Sequence, residues 1–237
     1  MAEKRPGNIQ ARIVIFGQES DPRHAAFIRD DTLCWQFGSG TLEVPIADLP
    51  VRQVHILMDM LAAGVLAGTA GVPPDVIAKT LRAFHGLPHR TEFVGEIDGI
   101  RFVNDSKATN VDAALWALKS QPKPIIWLVG GLWKGGDLTQ LNDQVREKVK
   151  AVIAFGESAE RFIKAFHSLT PVQRVETMEE AVIAAYRLAR TGDTILLSPA
   201  CASFDQFKDY KERGQIFTAL VTALKPKGEE IPYVSAK

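Results

Sequence analysis

Residues 104–110 read Asn-Asp-Ser-Lys-Ala-Thr-Asn and place an acid, a base and two hydroxyl groups between an apolar run and a segment with helical spacing. A carboxylate at such a place can accept hydrogen bonds, and an ammonium group can hold an anion. Asp105 and Lys107 lie before the start of the predicted helix, where the helix itself needs no charge. They are therefore the first candidates for chemistry.

The residues at the start of this helix also have a structural explanation. Thr109 precedes Asp112 by three positions, which is the spacing of a helix N-cap and its reciprocal acid. Such a cap stabilises a helix by about 1 kcal/mol. For Thr109 and Asn110 the sequence leaves capping and a role in a site as equal alternatives.

Two further loops have an unusual polar composition. One reads Gly-Gly-Leu-Trp-Lys-Gly-Gly-Asp at 130–137 and holds Lys134 among four glycines. Glycine adopts positive φ and allows close backbone approach, so a cation there suits an anion, although a tight turn is the simpler alternative. The other reads Ser-Pro-Ala-Cys-Ala-Ser-Phe-Asp-Gln-Phe at 198–207. Ser203 is either a ligand contact or a helix cap, with Asp205 near the positive end of the helix dipole.

The elements that must position these loops predict an α/β domain. After residue 91, apolar runs alternate with helical stretches, which is typical of a parallel sheet covered by helices on both faces. The strands are predicted at 102–103, 125–129, 152–155 and 194–197. Chemistry in such a sheet collects at its carboxyl edge, so the three loops are expected to lie there.

The first part of the chain has a different pattern. Short β-rich runs at 12–16, 26–28, 32–35 and 41–44 predict a small antiparallel sheet. Two helices are predicted to follow, one with apolar residues at helical spacing from Val54 to Val65 and one opened by Pro73-Pro74. The change of pattern near residues 86–92 predicts a domain boundary.

Composition excludes several classes of function. The 237 residues have a formal net charge of +0, which gives no reason to expect a nucleic-acid partner or a membrane surface. No apolar signal core follows the start, and no run approaches the roughly 18 apolar residues that span a bilayer, so we expect a cytoplasmic protein. Cys34 and Cys201 have neither disulfide nor zinc-site spacing. Trp116 and Trp127 are predicted to lie in the core and Trp133 to be exposed.

Taken together, the loops resemble those of the Mur ligases, and within that family the branch that adds D-glutamate. The resemblance rests on Gly-Leu-Pro-His-Arg at 86–90 with Glu92, on 104–110, on Gly130-Gly131 with Lys134-Gly135, and on 197–207 with Arg213-Gly214. Order and spacing agree over residues 41–225, most strongly from 86 onward. The resemblance implies a Rossmann-like, mostly parallel C-terminal domain at 91–237, preceded at 1–90 by a remnant of the central ATPase domain.

The resemblance also implies a reaction. These ligases phosphorylate a carboxylate with ATP, and an amine then attacks the acyl phosphate to form an amide. The implied substrates are ATP, D-glutamate and UDP-N-acetylmuramoyl-L-alanine, with Mg²⁺ in the complete enzyme. Such chemistry requires cations at the phosphates, an acceptor for the nucleotide sugar, and anchors for an amino acid that bears two carboxylates.

By resemblance, Arg90 and Asp105 contact the nucleotide, with Asp105 accepting from the ribose hydroxyls. Lys107 and Thr109 are the implied catalytic residues, which hold the incoming D-glutamate and the reacting groups.

The acceptor-binding residues are implied in the same way. Lys134 would pair with one glutamate carboxylate, and Ser203 with the backbone of Phe204 would bind the other end of the amino acid. Tyr210 lies where the family often has an aromatic wall. A hydroxyl beside backbone N–H groups is a reasonable anion site.

Parts of a complete Mur ligase have no counterpart in the sequence. Its N-terminal domain binds the UDP-sugar, and its central domain carries a glycine-rich loop ending in Gly-Lys-Ser/Thr. No Gly is followed by Lys anywhere in the chain, so that loop is absent, and no metal ligand is identified. A truncated gene, a split reading frame or a cloned fragment would each explain this. We expect no turnover from the chain alone, and a separate N-terminal half is an expected partner.

One segment departs from the family pattern. The family has asparagines where the helix at 55–63 carries Ile56 and Asp59, which puts adenine contact through this helix in doubt. Two alternatives therefore stay open. The chain could belong to another Mur or folylpolyglutamate-type ligase, or it could be a non-catalytic remnant that binds a nucleotide or a protein partner.

Overall fold

The computed structural model describes residues 13–19, 21, 23–37 and 40–226. The start of the chain and Arg12, where the first strand was predicted to begin, lie outside these residues. The chain forms two compact units, Met1–Gly86 and Leu87–Lys237. The assignment of 1–90 and 91–237 to two Mur ligase domains stays a prediction.

The first unit contains a small sheet and two helices. The strands are β1 (Ile15–Phe16), β2 (His24–Arg29), β3 (Thr32–Phe37) and β4 (Gly40–Pro45), and the helices are α1 (Val54–Thr69) and α2 (Pro74–Arg82). Strands β2 to β4 are antiparallel, as predicted, and β1 pairs with β2 in parallel. Trp35 is fully buried between the sheet and α1, where its Nε1 donates to the Leu61 carbonyl at 3.0 Å.

The second unit is the predicted α/β domain. Its strands are β5 (Glu92–Ile97), β6 (Ile100–Asn104), β7 (Ile125–Gly130), β8 (Val149–Phe155), β9 (Val172–Arg174) and β10 (Thr194–Leu197). Its helices are α3 (Val111–Ser120), α4 (Asn142–Lys148), α5 (Ala159–Phe166), α6 (Met178–Leu188) and α7 (Tyr210–Ala223). The sheet order is β5-β6-β10-β7-β8-β9, in which β5 is antiparallel to β6 and the other pairs are parallel.

The apolar runs of the central strands are buried on both faces. Trp127 and Val129 of β7 pack in a core with α3, α4 and α5, whereas Ile126 and Leu128 pack in a second core with α6 and α7. This alternation follows from the period of two in a strand. It explains why the run shows no polar alternation in the sequence.

The core prediction holds for Trp127 and is wrong for Trp116. Trp116 lies off the buried stripe of α3, which is formed by Val111, Ala114, Ala117 and Leu118, and it is 44% exposed. The Lys119 ammonium lies 5.1 Å from the Trp116 ring centroid. Trp133 is half-buried rather than exposed, because it packs against the core on the α5 side.

The sheet order decides where the polar loops lie. Strand β10 comes last in the sequence but is inserted between β6 and β7. The loops that follow these three strands therefore leave the same edge of the sheet side by side.

Candidate active site

The loops after β7 and β10 are joined directly. Leu132 and Ala202 form an antiparallel bridge in which each N–H donates to the other's carbonyl, at 2.9 and 3.0 Å. The Gly130 N–H also donates to the Pro199 carbonyl at 3.0 Å. The structure thus brings the Lys134 loop and the Ser203 loop together.

The loop after β6 reaches the same place through Thr109. Asn110 is the N-cap of α3, since its side chain accepts from the Ala113 N–H at 2.8 Å. The capping alternative is therefore correct for Asn110 and wrong for Thr109. The Thr109 hydroxyl is left for the site, and Lys134 Nζ donates to its Oγ1 at 3.4 Å.

Lys107 and Tyr210 form a second pair. Lys107 is exposed, and its ammonium lies 4.3 Å from the centroid of the Tyr210 ring. A cation over an aromatic face is attracted by the ring quadrupole, so the pair holds the Lys107 side chain above the start of α7. The structure places Tyr210 beside the implied catalytic lysine.

Ser203 is not a helix cap. Its carbonyl accepts from the N–H groups of Gln206 and Phe207 at 3.2 and 2.9 Å, which makes a turn, and α7 starts later with Asp209 as its N-cap. Ser203 is only 2% exposed. Phe204, in contrast, is 67% exposed, so the chain turns outward between the two residues.

Asp105 is buried at the end of β6. Its Oδ1 accepts from the Thr91 N–H at 3.0 Å and its Oδ2 from the Ser198 hydroxyl at 3.1 Å. Burial raises the pKa of Asp105 to about 7, although both hydrogen bonds and the nearby Arg90 charge act in the opposite direction. The carboxylate therefore fastens β10 and the Arg90 segment to β6.

The segment that carries Arg90 has an unusual backbone. His89 and Thr91 on either side of it have positive φ values of 64° and 45°. The Asn104 side-chain amide, which is fully buried, lies 3.0 Å from His89 Nδ1 and 3.1 Å from the Gly214 carbonyl. These contacts hold the segment against β6 and α7 and so determine where Arg90 lies.

Comparisons with known proteins show which family this chain resembles. Residues 89–201 match the family described as "Mur ligase, glutamate ligase domain". The chain is 46% identical over 182 residues to the UDP-N-acetylmuramoylalanine–D-glutamate ligase of Salinibacter ruber, covering 76% of this chain and 40% of the relative. It is 38% identical over 218 residues to the Bacillus subtilis protein of the same name, covering 91% of this chain and 48% of the relative.

The chain contains the glutamate ligase domain of the Mur ligase family. The family resemblance read from the sequence is thereby confirmed. This Mur ligase chain spans only about half the length, or less, of these relatives.

Solved structures support the fold of the Mur ligase chain. A pseudomurein peptide ligase type C from Methanothermus fervidus superposes with a TM-score of 0.63 at 18% identity, covering 86% of this chain and 43% of that one. MurF from Acinetobacter baumannii gives a TM-score of 0.63 at 17% identity, covering 87% and 46%. At such identities the likeness shows the fold alone.

Sequence reasoning assigned no role to Arg213, which the structure places between the loop after β6 and the loop after β10. Arg213 is fully buried, with Nε donating to Ser106 Oγ at 3.0 Å and Nη2 donating to the carbonyls of Ser106 and Cys201 at 2.9 and 3.1 Å. Burial lowers its pKa to about 10. Arg213 lies on the apolar stripe of α7 with Phe217 and Val221, and a charge on a buried stripe is the signal that could have identified it.

Two negative findings bear on the classes of function. Among the described residues, no group of three or more His, Cys, Asp or Glu side chains could hold a metal ion. No helix within the described ranges combines the length and apolar character that a bilayer crossing requires.

Proposed function

We propose that this chain is the C-terminal portion of an ATP-dependent ligase that adds D-glutamate to UDP-N-acetylmuramoyl-L-alanine in peptidoglycan synthesis, working in the cytoplasm. Residues 1–90 are the end of the central ATPase domain and 91–237 are the C-terminal domain. The observation that carries the proposal is the 3.4 Å contact between Lys134 and Thr109, made beside a loop that contains Ser203 and is hydrogen-bonded to the Lys134 loop.

This arrangement suits an acceptor with two carboxylates. Lys134 provides a charge for one of them, and the Thr109 hydroxyl beside it can donate a hydrogen bond to the same group. Ser203 with the Phe204 N–H provides neutral donors for the other carboxylate. Two relatives whose names specify D-glutamate, at 46% and 38% identity, support glutamate as the acceptor.

The proposed reaction forms an amide from an acyl phosphate. ATP transfers its γ-phosphoryl group to the carboxylate of the donor. The neutral amine of D-glutamate then attacks the carbonyl carbon, the C–N bond forms, the C–O bond to phosphate breaks, and the amine loses a proton. Lys107 and Thr109 orient the amino acid for this attack, which lowers the entropic part of the barrier.

Arg90 and Asp105 are proposed to contact the nucleotide. Arg90 is half-buried and supplies a fixed positive charge. Each oxygen of Asp105 accepts one hydrogen bond from the chain and retains a lone pair for a ribose hydroxyl, but the residue is only 5% exposed. The groups that bind Mg²⁺ belong, in this proposal, to the remainder of the enzyme.

A second candidate is a non-catalytic remnant that binds a nucleotide or a partner. Two observations favour it, namely the absence of any Gly-Lys pair from the sequence and the burial of Ile56, which is 2% exposed and packs in the core of the first unit. The Ile56 side chain therefore serves packing.

Phosphate release distinguishes the two candidates. ATP, UDP-N-acetylmuramoyl-L-alanine and D-glutamate are supplied to this chain alone and to this chain mixed with a separately made N-terminal half of a D-glutamate ligase. We expect D-glutamate-dependent release only in the mixture, because the chain alone has no loop to hold the ATP phosphates. No release in either sample favours the remnant, and release by the chain alone contradicts the proposed division of the ATP site.

A further inference from the structure

A fourth segment, which the sequence did not mark, contacts both the Lys134 loop and the Ser203 loop. It comprises residues 156–161, which are the short loop after β8 and the first residues of α5, and is called here the bridging segment. Toward the Lys134 loop, the Ser158 N–H donates to the Gly131 carbonyl at 3.1 Å. The Arg161 guanidinium also lies 5.0 Å from the centroid of the Trp133 ring, next to Lys134.

The bridging segment holds the Ser203 loop through Asp205. The Glu157 N–H donates to Asp205 Oδ2 at 3.1 Å. The other oxygen of Asp205 is buried and has no hydrogen-bond partner among the described residues, so this bond fixes the carboxylate. Gly156 lies next to Asp205 Oδ2 and has a φ of +72°. A Cβ at Gly156 would overlap that oxygen.

These contacts add a constraint that the two loops lack by themselves. The Gly130–Pro199 hydrogen bond lies where the loops leave β7 and β10. Farther out, the Leu132–Ala202 bridge joins the loops through two hydrogen bonds, about which they can turn. The bridging segment adds a contact to each loop on the α5 side. Together with the Leu132–Ala202 bridge, these two contacts fix the angle between the loops, which the bridge alone leaves open.

We propose that the bridging segment, acting through Asp205 and Trp133, sets the separation of Lys134 from Ser203 and so selects the chain length of the dicarboxylate acceptor. The inference rests on the proposed function, because it assigns these two residues to opposite ends of D-glutamate. Asp205, Gly156 and Trp133 are positioning residues and touch no reacting atom.

The physical basis is the sensitivity of a two-anchor site to distance. D-glutamate and D-aspartate differ by one methylene, and one methylene typically changes the specificity constant by about 10- to 200-fold. A displacement of about 1 Å at a reacting group costs up to roughly 100-fold in rate. A loop that turns about a single bridge would therefore lose much of the preference for glutamate.

The test uses the reconstituted enzyme, which is this chain mixed with the separately made N-terminal half. The variants are Asp205→Ala, Gly156→Ala and the double variant. We expect each single change to raise the KM for D-glutamate at least tenfold, to leave the KM for ATP within twofold, and to reduce the D-glutamate to D-aspartate preference. Both changes disturb the Asp205 contact, so their effects should be less than additive in the double variant. The strain of alanine at φ +72° and its closeness to Gly131 remain there. Asp143→Ala, on the exposed surface of α4, is the control and should change nothing.

A second measurement does not depend on activity. In the isolated chain, amide hydrogen exchange of Leu132 and Ala202 reports the bridge between the loops, and exchange of Trp127 reports the sheet. Asp205→Ala should accelerate amide exchange at Leu132 and Ala202 at least tenfold and leave the exchange rate of Trp127 unchanged.

The outcomes separate this inference from the proposed function. If the unaltered reconstituted enzyme does not use D-glutamate, the proposed function fails, and the exchange data still decide whether Asp205 positions the loop. Unchanged exchange overturns the positioning role. Faster exchange with an unaltered preference for D-glutamate over D-aspartate overturns the role in selectivity.

Discussion

Lys134 and Thr109 lie 25 residues apart in the chain, and Nζ of the lysine donates to Oγ1 of the threonine at 3.4 Å. Lys134 is exposed in a glycine-rich loop, and Thr109 is half-buried beside the N-cap of α3. A cation and a hydroxyl at this distance can both bind the oxygens of a single carboxylate. The contact therefore joins two loops, and their pairing is the proposed anion site.

Replacing Lys134 with alanine should weaken acceptor use selectively. A charge-assisted hydrogen bond contributes about 1.5 to 3 kcal/mol, which corresponds to roughly a 10- to 150-fold rise in the KM for D-glutamate. Initial rates of phosphate release in the reconstituted enzyme, with D-glutamate and ATP varied separately, measure this. Lys119→Ala, on the outer surface of α3, is the matched control. Equal changes in the KM for ATP and for D-glutamate would contradict the role of Lys134.

Replacing Asp105 with asparagine should stabilise the chain more at high pH than at low pH. The pKa of Asp105 rises from 3.8 to about 7 on folding, so the folded chain binds more protons than the unfolded chain between about pH 4 and 7. The stability from this group is therefore complete below about pH 4 and is lost as the pH rises through 7. Asparagine does not titrate, and Ser198 can reverse its hydroxyl to accept from the new amide.

Urea unfolding of the isolated chain at pH 4.5, 6 and 8 measures this difference. Relative to the unaltered chain, Asp105→Asn should gain about 1 to 4 kcal/mol between pH 4.5 and 8. Asp143→Asn, whose side chain is 94% exposed, provides the control and should show no such trend. A pH-independent difference for Asp105→Asn would show that the buried carboxyl does not titrate in this range.

Replacing Gly214 with alanine should displace the Arg90 segment. A Cβ at Gly214 would overlap the His89 ring, which lies 3.0 Å from the buried Asn104 amide. Alanine favours a helix interior by about 1 kcal/mol over glycine, so a loss of stability would have to come from this overlap. We expect a net loss of roughly 1 to 3 kcal/mol, measured by urea unfolding.

The control for this change is Gly95→Ala, since a Cβ at Gly95 would meet no atom within 4 Å. Nucleotide binding gives an independent readout, because His89 adjoins Arg90. ATP affinity of the reconstituted enzyme should fall for Gly214→Ala and stay unchanged for Gly95→Ala. A Gly214→Ala chain as stable as the unaltered chain would show that His89 moves without cost.

Much of the fold could be predicted because its signals are local. The runs at 125–129 and 195–197 are apolar throughout, and strands buried on both faces have that composition. Strands β5 and β9 were not predicted, because they lie at the two edges of the sheet and are largely not buried. The error at Trp116 arose because an aromatic residue can lie next to the apolar stripe of a helix without being part of it.

The candidate site was only partly predictable. Lys107, Thr109, Lys134 and Ser203 could be nominated because polar residues at strand ends stand out in the sequence, and their roles stay predictions. The bridging segment could not be nominated, because it acts largely through backbone N–H groups of Glu157 and Ser158, and any residue type provides these. Arg213 could have been nominated from its position four residues before Phe217 on the apolar stripe of α7, but its contacts with Ser106 and Cys201 depend on the tertiary structure.

The sequence by itself determined the elements and the chemistry available to them. Periods of two and 3.6 residues fix which segments become strands and helices, and residue types fix which groups can bind anions. The tertiary structure alone decided which groups meet. Insertion of β10 between β6 and β7 brings Thr109, Lys134 and Ser203 together at one edge of the sheet. Burial gives Asp105 and Arg213 a structural role, because each side chain holds neighbouring segments in place through its hydrogen bonds. Strand order and burial depend on contacts between distant parts of the chain, and no local pattern encodes them.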